Sequence, residues 1–110
     1  WRFDLGGFVN DDLPYVMRYQ ATNKDHIDWH MDMGQAQNAS RKLGFSIQLS
    51  NPDDYEGGDL EFHNVSVEKK DIRKRGTLIL FPAYWLHRVT AITSGERQVV
   101  VGWVHGPSYR

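Results

Sequence analysis

The chain has no cysteine among its 110 residues, which removes disulfide frameworks, thiolate metal sites and cysteine nucleophiles together. Any metal it binds must be held through nitrogen and oxygen. No apolar run approaches the roughly 18 to 20 residues of a membrane span, and the opening Trp1-Arg2-Phe3-Asp4 does not have the form of a signal peptide. The expectation is a soluble, cytoplasmic protein with no membrane partner, and the lack of an initiating methionine reads as loss of residues from the N-terminus. Neither sign of charge dominates: 13 basic residues stand against 14 acidic ones, net −1, with no like-charge block. Nucleic acid is therefore disfavoured as a partner, because phosphate contacts need a basic face, and neutral or peptide-like substrates fit better. There is no internal repeat and no low-complexity segment, and the length suits one domain, 1–110, with a single core.

What is present is mostly alternation. Apolar residues recur with period two or as short runs, separated by Gly, Pro, Asn and Asp clusters every 8 to 15 residues or so, the pattern of an all-β sandwich or barrel. The spacing predicts strands over 15–21, 27–32, 44–50, 59–62, 65–68, 77–81, 87–93 and 97–105, with short helical turns in 35–41 and 69–74. Asn51-Pro52-Asp53-Asp54 and Glu56-Gly57-Gly58-Asp59 read as turns, since Pro fixes φ, Asx side chains bond back to the backbone and Gly accepts positive φ.

Within that pattern, His30-Met31-Asp32 is followed 55 residues after Asp32 by His87 and ten residues later by Arg97. On a strand, residues i and i+2 share a face, so the His30 ring and the Asp32 carboxylate can converge. Taken alone, His30 reads first as a half-buried strand histidine bonded to a carboxylate. With His87 added, two imidazoles and a carboxylate make the facial triad of non-haem Fe(II) oxygenases, which leaves the opposite face of the metal open. The strand opened by His87 is expected to turn at Ser94-Gly95-Glu96. A three-residue loop there pairs Thr93 with Arg97 and puts Arg97 on the His87 face, whereas a two-residue loop puts it on the other. An arginine leaning back toward the metal would sit on the order of 10 Å away, suited to a five-carbon dicarboxylate, whose far end its planar fork would hold bidentately. The same parity aims Val99, Val101 and Trp103 inward as an apolar wall. Of Ser46 and Gln48, either could bond a carboxylate if their parity class faces the pocket.

The stretches DWHMD, LSNPDDYEGGDLEF, RGTLILFP and LHRVT…GERQVVVGWVHG, spanning about residues 15 to 106, resemble the 2-oxoglutarate- and Fe(II)-dependent dioxygenases, in particular the prolyl 4-hydroxylase-like branch of bacteria and viruses. The resemblance implies a double-stranded β-helix, or jelly roll, with iron at its mouth. It implies His30, Asp32 and His87 as catalytic metal ligands, Arg97 as the partner of the distal carboxylate of 2-oxoglutarate, Tyr19 as a second 2-oxoglutarate contact, and Trp103 as an aromatic flanking the pocket. Fe(II), 2-oxoglutarate and O2 follow as cofactor and co-substrates, with ascorbate as a candidate accessory. The chain departs from relatives in several places. Many animal and plant members carry Lys at the Arg97 position; Ile27 stands where a Tyr is common; Tyr19 lies eleven residues before His30 rather than nine or ten; and the supporting N-terminal helices are absent from these residues.

The remaining candidates read as structural. His26 and His63 fit surface positions, His105 a structural role near the terminus, Glu61 a solvent-facing strand site, Gly57-Gly58 a tight turn, and the basic residues between Lys69 and Arg75 a solvated edge. Trp29, Tyr55, Tyr84 and Trp85 fit either core or a substrate groove. The expected function is hydroxylation of an unactivated C–H bond, by resemblance in a peptidyl proline, with release of succinate and CO2. A nucleobase demethylase or small-molecule oxygenase on the same fold, and a non-catalytic jelly-roll binding module, are the alternatives.

Overall fold

A computed structural model describes residues 5–33 and 40–107. Eight strands run in the order β1 (Tyr15–Gln20), β2 (Ile27–His30), β3 (Arg41–Gln48), β4 (Tyr55–Gly57), β5 (Leu60–Phe62), β6 (Leu78–Pro82), β7 (His87–Val89) and β8 (Ile92–His105), with one short helix, α1 (Lys69–Ile72), before β6. All pairings are antiparallel. The larger sheet has the order β1-β8-β3-β6 with β4 also paired to β8, and the smaller has the order β2-β7-β5. This is the all-β architecture expected from the alternation, and it takes the jelly-roll form that the resemblance implied. No helix among the described residues is long and apolar enough to cross a membrane.

The core lies between the sheets, where Tyr19, Tyr55, Phe81, Ile92 and Val99 of the larger meet Leu60, Phe62 and Val89 of the smaller. Alternation sorts β3 cleanly: Gly44, Ser46 and Gln48 are buried, while Phe45 and Ile47 between them are less so. Outside, Phe8 covers Phe45 with ring centroids 5.9 Å apart, and Leu78 and Leu80 of β6 remain exposed.

Several expectations need correction. Residues 65–68 form no strand, and β4 lies where the Glu56-Gly57 turn was expected. The strand from Ile27 stops at His30, so Asp32 sits beyond it in a bend. The turn expected over 35–41 falls largely outside the described residues. Most consequential, Ser94-Gly95-Glu96 is no hairpin: β8 runs through it unbroken, and the chain passes from the smaller sheet to the larger between Val89 and Ile92. A glycine at positive φ signals a turn in sequence, but the same conformation serves a bulged strand. Gly95 has φ +74°, and a Cβ there would run into the Asp54 carbonyl oxygen.

That irregularity decides which way Arg97 points. β4 and β8 pair Glu56 with Ser94 and then Gly57 with Ile92, so the register slips and Thr93 is the extra residue. A slip of one residue exchanges the faces of everything that follows. Ile92 faces the core, and strict alternation from it would turn Arg97 outward; with Thr93 inserted, Arg97 and Val99 are instead buried.

Candidate active site

β2 ends with His30 beside the first residue of β7, His87, and the two are a cross-strand pair. Just past β2, the N–H groups of Asp32 and Met33 both donate to the Ala83 carbonyl, at 2.9 and 3.3 Å, which folds the Asp32 side chain back toward the histidines. Asp32 Oδ1 lies 3.1 Å from His30 Nε2 and 3.2 Å from His87 Nε2, and one ligand atom from each of the three residues falls within 4.8 Å of the others. The sequence expectation placed His30 and Asp32 on one strand face; a bend after the strand brings them together instead.

The nitrogens not facing Asp32 are committed. His30 Nδ1 is 2.8 Å from the Asp28 carbonyl and His87 Nδ1 2.9 Å from the Trp85 carbonyl. A carbonyl only accepts, so each Nδ1 carries the proton and donates it, and both Nε2 lone pairs point at the carboxylate oxygen. Three converging lone-pair donors repel one another unless a cation lies between them, whether a proton or a metal. Burial pushes the Asp32 carboxyl up, but contact with His30 and His87, whose Nε2 atoms donate to it when they carry the intervening proton, and the hydrogen bond from Trp103 outweigh burial and hold the group well below the usual carboxylate range. His30 is shifted upward by its bond to Asp32, against burial. A negative, tightly held carboxylate between two pre-oriented imidazoles is the donor set of a hard-to-borderline divalent metal such as Fe(II).

The second carboxylate oxygen is fixed separately. Trp103 Nε1 donates to Asp32 Oδ2 at 2.8 Å, leaving Oδ1 for the shared point. Behind Trp103, the Arg41 guanidinium stacks on the indole at 3.7 Å and donates to the Asp32 carbonyl at 3.1 Å. Arg41 is itself forked by Asp12, at 2.8 and 2.9 Å. His105 Nε2 lies 2.7 Å from the same Asp12 carboxylate and its Nδ1 2.7 Å from Ser40 Oγ, so His105 is a buried structural group. Sequence reasoning missed Asp12 and Arg41, because nothing local marks two charges that meet only through β8.

Gly44 was missed as well. It faces Trp103 on β8, and a Cβ there would lie 2.7 Å from Asp32 Oδ2 and 2.8 Å from the Phe81 ring. Both neighbours are backed by packed side chains, so Gly44→Ala should displace the carboxylate. We expect a stability loss of about 1 to 3 kcal/mol, the usual cost of overpacking, with weakened metal binding, measured by denaturant melts and metal titration. Unchanged metal affinity would show that Asp32 has slack.

The histidines and Asp32 open onto a cavity of about 310 Å³ walled by Tyr19, Ile27, Leu60, Val99 and Val101, with Arg41, Ser46 and Arg97 among its polar lining residues. That is the low end of the range for small-ligand sites. Arg97 is 4% exposed, its Nη1 is buried without a partner, and among the described residues no carboxylate forms an ion pair with it. An uncompensated buried guanidinium is costly and calls for an anion. Tyr19 pairs with Arg97 across β1 and β8, its ring 5.3 Å from the guanidinium carbon. Burial raises the Tyr19 hydroxyl pKa, against the pull of Arg97, so the group stays neutral. Ser46 Oγ is also buried and unpartnered, whereas Gln48 is fully bonded.

Other candidates fall elsewhere. His26 and His63 are exposed. Glu61 pairs with Arg88 at 2.7 Å, and Arg88 lies 4.7 Å over the exposed Trp29. Trp85 packs on Phe62 and Tyr84 is exposed. Arg73 is no solvated edge: it binds Asp59 and the carbonyls of Pro52, Tyr55 and Gly57, tying α1 to the β4 region.

Comparison with known proteins agrees with this geometry. A PKHD-type hydroxylase of Prochlorococcus marinus strain MIT 9301 is 34% identical over 89 residues, covering 81% of this chain and 40% of the relative. A PKHD-type hydroxylase of Synechococcus sp. strain CC9605 is 40% identical over 77 residues, covering 69% and 35%. The chain thus spans well under half the length of these relatives. Among solved structures, a prolyl 4-hydroxylase of Phytophthora capsici superposes with TM-score 0.70 at 25% identity, over 94% of this chain and 35% of that one. A 2OG-Fe(II) oxygenase family oxidoreductase of Burkholderia pseudomallei, at 18% identity and TM-score 0.61 over 86% and 46%, shares the fold. Residues 15–105 match the 2OG-Fe(II) oxygenase superfamily, and the chain belongs to that family.

Proposed function

We propose that this chain carries the catalytic centre of an Fe(II)- and 2-oxoglutarate-dependent dioxygenase that hydroxylates a C–H bond of peptidyl proline. The observation that carries the reading is one cavity with a His-Asp-His donor set at one place on its wall and a buried, unpaired arginine at another. A metal needs the first and a dicarboxylate needs both. In this reading His30, Asp32 and His87 hold Fe(II) and Arg97 receives the distal carboxylate of 2-oxoglutarate, with Tyr19 beside it. Bound iron supplies the redox chemistry by which O2 and 2-oxoglutarate become succinate, CO2 and an oxidant able to hydroxylate a C–H bond.

The protein's own part is positioning and exclusion. The Asp28 and Trp85 carbonyls keep protons on the two Nδ1 atoms, so both Nε2 atoms stay free to ligate. Trp103 holds one Asp32 oxygen away from the metal side. Val99, Val101 and Leu60 keep the cavity dry, which strengthens the attraction of Arg97 for a carboxylate. No side chain has to act as a general base in this reaction.

Proline as target is supported by the names of the relatives, the near-neutral charge balance, and exposed aromatic and apolar groups beside the ligands, Trp29 at 41% and Met31 at 53% exposure. Incubating the protein with Fe(II), 2-oxoglutarate, O2 and a library of proline peptides should add one oxygen atom, about 16 mass units, to modified peptides and release succinate in step. Mass spectrometry reads both. Modification of a methylated oligonucleotide or a free metabolite but of no proline peptide would reject proline and leave the oxygenase reading standing.

A further inference from the structure

Gln48 lies in the interior, 2% exposed at the end of β3. Both ends of its amide are bonded. Oε1 accepts from Arg97 Nε at 3.1 Å, and Nε2 donates to the Tyr55 hydroxyl at 2.7 Å and toward the Ser50 carbonyl at 3.4 Å. The orientation of the amide is forced, since a guanidinium has no acceptor and so only the amide oxygen can face Arg97. Tyr55 is itself held, with the Arg73 guanidinium 4.2 Å over its ring and Arg73 anchored to Asp59 at 2.9 Å. On the opposite side Gly58, at φ +62°, leaves room for the Arg97 stem, whose Cδ a Cβ would approach to 3.4 Å.

We propose that Gln48, backed by Tyr55, is the positioning residue that turns the Arg97 fork toward the cavity and so sets the preference for dicarboxylic over monocarboxylic 2-oxo acids. The inference rests on the reading of Arg97 as the carboxylate anchor. Its logic lies in what each kind of partner does to the arginine. With Nε engaged by Gln48, the guanidinium cannot rotate about its stem without losing that bond, and Nη1 stays buried with its donor unspent, on a residue that lines the cavity. A glutamate would accept from Nε equally well but would cancel the charge the ligand needs; the neutral amide orients the cation and leaves its charge unspent. Ser46, two residues along the same face, keeps a free hydroxyl, so β3 has one inward side chain given to holding the arginine and another left open to a ligand.

The test compares 2-oxoglutarate with 2-oxobutanoate, which has the same chelating head and no distal carboxylate, by anaerobic calorimetric titration of the Fe(II)-loaded protein. Gln48→Leu should cut the preference for 2-oxoglutarate about tenfold, the usual worth of a hydrogen bond to a charged group, while 2-oxobutanoate affinity changes little. General loosening of the fold would weaken both ligands alike. Tyr55→Phe, a milder change, should move the same ratio in the same direction by less, and it decides the matter if Gln48→Leu does not fold. Gln48→Glu should abolish the preference. If Arg97→Ala lowers the ratio but neither Gln48→Leu nor Tyr55→Phe does, the positioning role is wrong and the anchor stands. If Arg97→Ala leaves the ratio unchanged, the anchor is wrong and the inference falls with it.

Discussion

His87→Ala should lose all turnover and lower Fe(II) affinity by at least about 100-fold. Altering a group that merely orients a ligand typically costs 10- to 100-fold in affinity or activity, and removing a ligand costs more. His87 is 5% exposed, pairs with His30 across the strands, and shares the Asp32 oxygen with it, and among the described residues no fourth His, Asp or Glu joins this cluster. The same loss is expected from His30→Ala and Asp32→Ala. His63→Ala is the control: this exposed ring stands edge-on to Trp29 with centroids 6.0 Å apart and contributes nothing to the donor set, so metal binding should stay as it was. Fe(II) titration of each variant, with melts to verify folding, is the measurement, and native-like metal affinity in His87→Ala would remove the triad.

Arg97→Ala should raise the 2-oxoglutarate requirement well over tenfold while Fe(II) still binds. Truncating one partner of a buried, hydrogen-bonded charge pair costs about 2 to 5 kcal/mol, and Arg97 is buried with no competing carboxylate among the described residues. Because it is separate from the metal donors, the two affinities should part: 2-oxoglutarate binding falls and metal binding holds. Arg97→Lys should recover part of the loss, since lysine keeps the charge but lacks the fork that uses Nη1 for the ligand while Nε stays on Gln48. Titration of the Fe(II)-loaded variants decides it, and an unchanged 2-oxoglutarate affinity in Arg97→Ala would place the carboxylate elsewhere in the cavity.

Much of the architecture could be read from alternation. β1, β3, β6 and the second half of β8 lie where alternation or a short apolar run placed strands, but burial follows hydrophobicity only in part: in β3 the buried Gly44, Ser46 and Gln48 alternate with the less buried Phe45 and Ile47. Where the period fails, local signals misled. Ser94-Gly95-Glu96 has the composition of a hairpin turn but lies in a continuous strand, since positive φ at a glycine suits either, and only the pairing with β4 distinguishes them. The segment 65–68 alternates too, yet it forms no strand and pairs with none among the described residues. Arg73 looks like one more charge in a basic loop and is in fact a clamp, because its partners are backbone carbonyls that no sequence pattern marks.

From the sequence alone came the chemistry on offer: nitrogen and oxygen donors without thiolate, two histidines and an aspartate at suggestive spacing, an arginine downstream, and no excess of basic over acidic residues. Those are properties of side chains and survive any arrangement of the backbone. The tertiary structure decided what they do together. It set the bend that turns Asp32 back on His30, the extra residue at Thr93 that points Arg97 inward, the choice of Gln48 to hold that arginine and of Ser46 to stay open, and the Asp12–Arg41–Trp103 brace behind the carboxylate. The reason is one of range: alternation is a local property of the chain, whereas register and convergence depend on pairings between residues as far apart as Asp32 and Trp103, which only the folded sheets bring within a hydrogen bond of each other.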